Sequence, residues 1–376
     1  MLKVRILKPS RTQVLIYDSL GLEFLQEAIA EDYSVQCLIP RTYFPVVLRW
    51  SFLYRFLLEC VNRRFRYRVA YLVTLIDQYN PQVVITFSDT SPIPGEYGWS
   101  RPGTLVLSVQ NALRDSLTLS GIRKAPVYMA FGHSTKLLFE KENIPYQRMI
   151  TVGSLILGLF LSHRPMVEYS QDLVFVSSYR VDFDVPESEN TRITKSLASA
   201  HRCLFLNLLR YSYENNLNLT VIAKGKVRYD GEHFAEEENY FKKLSGGKPF
   251  TLSSTIKNTY KSYSIGLSAN LLVALDSTLA YEMFSIGKKV LFGIGISKTL
   301  SKERDYDIEY LPEEVLLTSK SYDHFREKIN SLRSSNKDKY ESSAREKGSI
   351  YINQQVDCPP HKRINDEIKK HLERNI

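Results

Sequence analysis

The stretch "LLVALDSTLAYEMFSIGKKVLFG", Leu271 to Gly293, decides how this chain is read. Leu271 to Leu275 is a short apolar run suited to a strand covered on both faces, and Leu279 to Ile286 carries helical spacing up to Gly287. A second buried run, Val290 to Phe292, follows, so the order is strand, turn, helix, strand. Asp276, Ser277 and Thr278 are all good N-cap residues, and the helix they open presents unpaired backbone N–H groups and the positive end of its dipole. Such an end holds anions, phosphate above all. Glu282, four residues after Thr278, falls on the same helix face about one turn in, where a carboxylate would accept hydrogen bonds from a ribose diol. An ordinary capped strand-to-helix turn with a solvated Glu282 uses the same residues, and the segment alone leaves both readings open.

Outward from this seam the chain has a strand–helix rhythm. "QVLIYD" (Gln13 to Asp18), "SVQCLIP", "PQVVITFSD", "GTLVLSVQ", "VYMAFG" and "RMITVGS" read as strands separated by helices. The pattern restarts with "DLVFVSSYR", "LNLTVIAKGK" and "PFTLSS" before the opening stretch. Alternation of this kind predicts parallel, doubly wound sheets. The fold class is therefore α/β: a first Rossmann-like domain over 1–158, a second over 172–355, and a polar C-terminal helix over 360–376 packing back on the first. Ligands of such folds bind at the C-terminal ends of the strands, here expected in a cleft between the two sheets.

A chain of 376 residues exceeds the usual size of one core, and its 43% hydrophobic content is ample for two. No apolar run reaches the roughly 18 to 20 residues of a membrane span, and the N-terminal text has no signal-peptide core, so a cytoplasmic protein is expected. Cys37, Cys60, Cys203 and Cys358 are scattered without metal-ligand spacing and read as reduced thiols. The net charge of +9 is unevenly placed. Between Arg41 and Arg68 seven arginines face the single Glu59, interleaved with Trp50, Phe52, Tyr54, Phe56 and Phe65. The segment reads as one helix running on through "VAYLVTLIDQYN". A helix lying on an anionic membrane, a nucleic-acid groove and a helix with a solvated Arg-rich face all accommodate that mixture.

Several chemistries lose support. "VLFGIGISK" (Val290 to Lys298) has two glycines after a strand but neither the third glycine nor the later acidic residue of a dinucleotide fingerprint. Walker A, HExxH and GxSxG segments are absent from the sequence.

Two Rossmann-like halves, "DSTLAYEMFSIGKKVLF" near the end of the second and "FGHSTKLLFEKENIPYQRMITVGS" closing the first resemble the GT-B glycosyltransferases of bacterial surface-polysaccharide synthesis. More particularly, they resemble the group that includes capsule Kdo transferases, bacterial sialyltransferases and CDP-glycerol glycerophosphotransferases. The resemblance implies a CMP- or UDP-type sugar donor whose phosphate is held by Ser277 and Thr278 beside Asp276, with Glu282 on the ribose. Where many of these enzymes carry His-Pro after a strand, this chain reads "VIAKGK", so Lys224 and Lys226 would supply the cations. Where the glycerophosphotransferases carry a catalytic His, it reads "SVQNALRD". Asn111 cannot serve as a base and, with Arg114, falls to the acceptor. Asp18, Asp89 and Asp115 stand at first-domain strand ends as candidate bases, with Asp89 ranked first because the Pro- and Gly-bearing text after it suggests an irregular acceptor loop. His133 reads as a helix cap.

A helix end with hydroxyls stabilises a leaving phosphate without metal, and no DxD-like pair sits at a strand end, so neither metal nor cofactor is expected. The reading is thus a metal-independent transfer to a surface polysaccharide or lipid-linked acceptor, with peripheral membrane contact through Arg41–Arg68. A nucleotide-sugar 2-epimerase or hydrolase of the same architecture is the alternative, and a nucleic-acid-binding protein a more distant one.

Overall fold

The computed structural model describes residues 3–39, 43–63, 66–119, 121–122, 124–163, 170–180, 183, 192–223, 232–254, 260–297, 308–355 and 357–374. The chain divides into two units, Met1–Leu159 with Gln354–Ile376, and Phe160–Asn353.

The first unit contributes β1 (Lys3–Ile6), β2 (Val14–Asp18), β3 (Val35–Ile39), β4 (Tyr43–Val46), β5 (Val83–Thr86), β6 (Leu105–Val109), β7 (Ala125–Ala130) and β8 (Tyr146–Thr151). β1 and β4 form a two-stranded parallel ribbon, and the other six strands form one parallel sheet in the order β3-β2-β5-β6-β7-β8. The second unit contributes β9 (Gln171–Val176), β10 (Leu219–Ile222), β11 (Thr251–Ser253), β12 (Ala269–Ala274) and β13 (Val290–Phe292), all parallel, in the order β11-β10-β9-β12-β13. Central strands such as Val83–Ile85 and Leu271–Ala274 have no exposed surface. That is why their sequences are unbroken apolar runs and not alternating ones.

Each sheet grows first to one side of its opening strand and then to the other. In the first unit β3 flanks β2 on one side and β5 on the other; in the second, β10 and β12 flank β9 in the same way. The loops after β2 and β5, and after β9 and β12, therefore leave in opposite directions, opening a crevice at the C-terminal edge. That switch point is where open α/β sheets bind ligands.

Three segments differ from their sequence-based reading. The Arg-rich block is not one helix: β4 is followed by separate helices Trp50–Asn62 and Tyr67–Asp77. The first ends at Arg63, whose guanidinium turns back to Glu59 at 2.8 Å. The Pro- and Gly-bearing text after Asp89 is a helix, Pro92–Ser100, and not an irregular loop. Pro92 occupies the first turn, where its missing N–H is harmless. Gly95 and Gly98 let the helix press on the sheet, since a Cβ there would lie 2.2 Å from the Lys124 carbonyl oxygen and 2.4 Å from the Pro126 ring. A further helix, Lys337–Gly348, is opened by Asn336, whose side chain accepts from the Lys339 N–H at 3.0 Å. Its apolar content is too low to stand out in the sequence.

The C-terminal helix Pro360–Arg374 lies in the first unit and buries Pro360, Ile364, Ile368 and Leu372, one residue per turn. Asn365 accepts the Ala30 N–H at 3.2 Å, Glu367 pairs with Arg148, and Arg363 donates to the Thr151 carbonyl. Truncating Ile368 to Ala removes a fully buried side chain from this seam and should lower the unfolding free energy by about 2–5 kcal/mol. Urea denaturation followed by far-UV circular dichroism measures it; a loss below about 0.5 kcal/mol would show that the helix is not docked in solution.

Candidate functional site

The opening stretch lies at the switch point of the second unit. β12 ends at Ala274, Asp276 to Leu279 are partly exposed, and helix Thr278–Ser285 begins behind its N-cap Ser277. Ser277 is extended (φ −149°, ψ 130°), and its carbonyl accepts the Ala280 N–H at 2.9 Å. Its hydroxyl makes no capping bond to the helix. A Ser in this position normally folds its oxygen back onto the second or third N–H. Here the Ala280 and Tyr281 N–H groups bond the Ser277 carbonyl, and the hydroxyl takes no part in the cap. Across the switch point, β9 runs into Ser177 and Ser178, and the Ser178 hydroxyl donates to the Asp276 carbonyl at 3.2 Å, tying the two loops together. The Ser177 hydroxyl oxygen accepts the Tyr179 N–H at 3.1 Å, and the Ser177 backbone N–H donates to the Ile222 carbonyl at 3.1 Å. The result is a polar seam of hydroxyls and amides at the positive end of an eight-residue helix, a setting that favours an anion.

Glu282 is placed otherwise than expected. It is 2% exposed, and the Tyr263 hydroxyl lies 3.0 and 2.9 Å from its two carboxylate oxygens. The helical register that puts Glu282 one turn beyond Thr278 also points it at helix Tyr260–Ser268, so the side chain joins two helices inside the unit instead of presenting itself to a ribose. Gly287 (φ +93°) closes the helix as a left-handed C-terminal residue that favours glycine, with the Lys288 N–H reaching the Met283 carbonyl at 3.0 Å. The glycines of "GIG" are structural: a Cβ on Gly293 would lie 2.6 Å from Leu204, and one on Gly295 2.8 Å from the Leu317 carbonyl oxygen. Lys224 and Lys226 fall outside the described residues.

In the first unit three of the sequence candidates come together. Asp89, 3% exposed, receives a two-pronged contact from Arg114, whose Nε donates to Oδ2 at 2.9 Å. The Tyr128 hydroxyl donates to the same oxygen at 2.5 Å. Arg114 also donates to the Asn111 side-chain oxygen at 2.6 Å, and the Asn111 amide nitrogen donates to the Phe87 carbonyl at 2.6 Å. Burial pushes the Asp89 carboxyl above the usual carboxylate range against the pull of Arg114. For Arg114 burial works downward, but Asp89 prevails and holds the guanidinium above its ordinary value. Both Asp89 oxygens are thus engaged, which makes the residue the anchor of Arg114 and, through it, of Asn111. Asp115 Oδ1 accepts the Thr118 N–H at 2.7 Å and caps the short helix Ser116–Leu119.

Asp18 stands elsewhere. It ends β2 beside the first unit's switch point, partly exposed, accepting the Leu20 N–H at 2.9 Å and the Ser88 hydroxyl that follows β5. His133 is the first helical residue behind Gly132, which takes the cap position, and it is exposed. Ser88, Ser177 and Ser178 were not among the sequence candidates. Paired hydroxyls directly after a strand are a signal only once strand order shows which strands flank the switch. Among the described residues no three His, Cys, Asp or Glu side chains gather as a metal site.

A family model described as "putative O-antigen biosynthesis protein" matches residues 141–313. That is less than half of the chain, and it includes β9 to β13 and the Ser277 seam while leaving out Asp18, Asp89 and Arg114. No curated protein matches the sequence. Among solved structures, the S. aureus MnaA–UDP complex aligns at TM-score 0.56 and 12% identity over 97% of both chains. Sucrose-phosphate synthase from Thermosynechococcus elongatus aligns at 0.53 and 12% over 97% of this chain and all of its own. UDP-GlcNAc 2-epimerase from Neisseria meningitidis, bound to UDP-GlcNAc, aligns at 0.52 and 12% over 96% of this chain and 99% of its own. These likenesses define the class of fold: the two-unit α/β architecture of GT-B glycosyltransferases and UDP-GlcNAc 2-epimerases.

The two roles open to Asp89 are separated by stability. As the one carboxylate partner of the Arg114 guanidinium among the described residues, Asp89→Asn should cost about 3–5 kcal/mol, whereas Asp115→Ala, a lost cap, should cost about 0.5–2 kcal/mol. Equal, small shifts of the urea midpoint for both variants would speak against the anchoring role of Asp89.

Proposed function

We propose that the protein transfers a glycosyl group from a nucleotide-activated donor to a hydroxyl of a surface-polysaccharide or lipid-linked acceptor, working on the cytoplasmic side of the membrane. The observation that carries this reading is the seam of Ser177, Ser178, Ser277 and Thr278 at the switch point between β9 and β12, where the Ser277 side chain makes no cap bond and the Ser178 hydroxyl ties the two loops together at a helix N-terminus. In the transfer the bond from the sugar's anomeric carbon to the leaving phosphate breaks, and its electron pair stays on the phosphate oxygen. The helix N-terminus and hydroxyls stabilise that charge as it develops. The acceptor oxygen forms the new bond to the anomeric carbon, and its proton passes to a carboxylate. Asp89, Asp115 and Asp18 are the proposed first-unit candidates for that carboxylate, Asp18 being the partly exposed one. Arg114, held by Asp89, and Asn111 are proposed for an anionic acceptor group. Lys224 and Lys226, which follow β10, are proposed as cations for the donor phosphate.

Two of the three neighbours contain UDP or UDP-GlcNAc, which favours a UDP-type over a CMP-type donor. No cofactor or divalent ion is invoked, because the seam supplies the charge stabilisation that a metal would otherwise give. The same comparisons favour a second reading, a UDP-sugar 2-epimerase or hydrolase, since two of them carry MnaA or 2-epimerase in their names. Incubation with radiolabelled UDP-sugar distinguishes the two: an epimerase or hydrolase changes the donor without acceptor, whereas a transferase moves label into lipid or polysaccharide only when one is added.

A hydrogen bond to a charged group contributes roughly 1.5–3 kcal/mol, so Ser277→Ala should weaken nucleotide binding by about 10- to 100-fold in calorimetric titration. Folding should be nearly unaffected, since no capping bond is lost. Excess EDTA should leave both binding and turnover unchanged. Unaltered affinity in folded Ser277→Ala would reduce the seam to a strand-to-helix turn.

A further inference from the structure

Helix Trp50–Asn62 is covered on one side only. Phe52 and Phe56 face helix Tyr67–Asp77 and Cys60 is buried; Phe52 and Phe56 stack at 6.4 Å, and both meet Tyr71 edge-on at 5.2 and 5.8 Å. The opposite side carries Trp50, Leu53, Tyr54, Leu57, Leu58 and Val61, recurring at the three- and four-residue intervals of one helix face. They are left in water, with Trp50 86%, Val61 66% and Leu57 56% exposed. Leu48, just before the helix, is 72% exposed. A contiguous apolar stripe of this kind on a folded chain marks an interaction surface.

The charges around it are sorted. Glu59 is the helix's only carboxylate, and it turns inward to Arg63 at 2.8 Å and Arg101 at 2.6 Å. Arg63 and Arg66 reach Glu96 at 3.5 and 3.1 Å, so these two arginines of the Arg41–Arg68 block serve the interior of the unit. Arg49 and Arg55 are exposed and make no ion pair among the described residues. The outer side of the helix is therefore aromatic and aliphatic with cationic flanks and no acid.

We propose that this face seats the protein on a bilayer bearing anionic phospholipid headgroups. Leu53, Leu57, Leu58 and Val61 would enter the acyl boundary, Trp50 and Tyr54 lie at the headgroup level, and Arg49 and Arg55 extend to the phosphates. The helix lies on the bilayer and does not span it: at 13 residues it is too short, and no helix among the described residues is long and apolar enough to cross. A second copy of the chain on the same face would set arginines against arginines, and a nucleic-acid groove does not place four aliphatic side chains at its centre. Anionic lipid satisfies both the apolar stripe and its charge. The proposal shares no residue with the donor seam or with the Asp89 cluster, so either can fail without the other.

Flotation of the full chain with phosphatidylcholine vesicles, with and without phosphatidylglycerol, tests it. Wild type should bind the phosphatidylglycerol vesicles, lose binding as salt is raised, and bind pure phosphatidylcholine far less. Arg49→Glu with Arg55→Glu, and separately Leu53→Ser with Leu57→Ser, should each lower partitioning by about tenfold or more. All four positions are exposed, so the unfolding midpoint and the nucleotide titration should match wild type. Absence of vesicle binding, equal binding to neutral vesicles, or insensitivity to both variant pairs would overturn the proposal. So would self-association or RNA retention that the Leu53→Ser/Leu57→Ser pair abolishes while vesicles stay unbound.

Discussion

In each sheet the first strand is flanked on both sides by strands that come later in the chain, and most of the chemistry follows from that arrangement. The interiors of β2, β5, β9 and β12 are apolar because both faces of a parallel sheet are covered. Polar side chains are then confined to strand ends, and only at the switch point do two neighbouring loops part enough to leave a crevice. The 3.2 Å bond from Ser178 to the Asp276 carbonyl is the local expression of this constraint, since it joins loops that are 98 residues apart in the chain but adjacent in the sheet. Ser88 and Asp18 repeat the arrangement after β5 and β2.

Much of the fold was legible because parallel strands and their turns are local signals. The run Leu271–Leu275, the N-cap triplet and Gly287 each mean the same thing in isolation as in the folded unit. Strand order was not legible, and with it went Ser177, Ser178 and Ser88, whose significance depends on neighbours far away in sequence. Pro92, Gly95 and Gly98 were misread for a related reason: proline and glycine punctuate loops, but proline is also tolerated in a first helical turn, and glycine is required where a helix backbone presses on the Lys124 carbonyl. Glu282 shows a different limit. Helical periodicity fixed its azimuth, but which neighbour fills that direction is a tertiary fact, and the neighbour is Tyr263.

The Arg-rich block shows how one composition serves two tasks. Glu59, Asp77 and Glu96 draw Arg63, Arg66 and Arg101 into a partly buried network that fastens helices Trp50–Asn62, Tyr67–Asp77 and Pro92–Ser100 to one another. Such pairs hold geometry by the penalty of leaving either partner alone more than by net stabilisation. Sequence alone cannot tell these arginines from Arg49 and Arg55, because the acids that claim them lie up to several tens of residues away.

The Asp89 cluster and the Ser277 seam differ in how their polar groups are committed. Charged groups buried near a strand end must be paired, so Asp89, Arg114, Asn111 and Tyr128 form a closed set whose outward function is limited to whatever donors Arg114 retains. The seam in the second unit has no such obligation, because hydroxyls and helix amides can remain partly hydrated at modest cost until an anion replaces the water. The ionic cluster of the first unit is in this respect suited to holding a rigid scaffold, whereas the neutral groups at Ser277 and Thr278 leave the seam without a charge that must be paired.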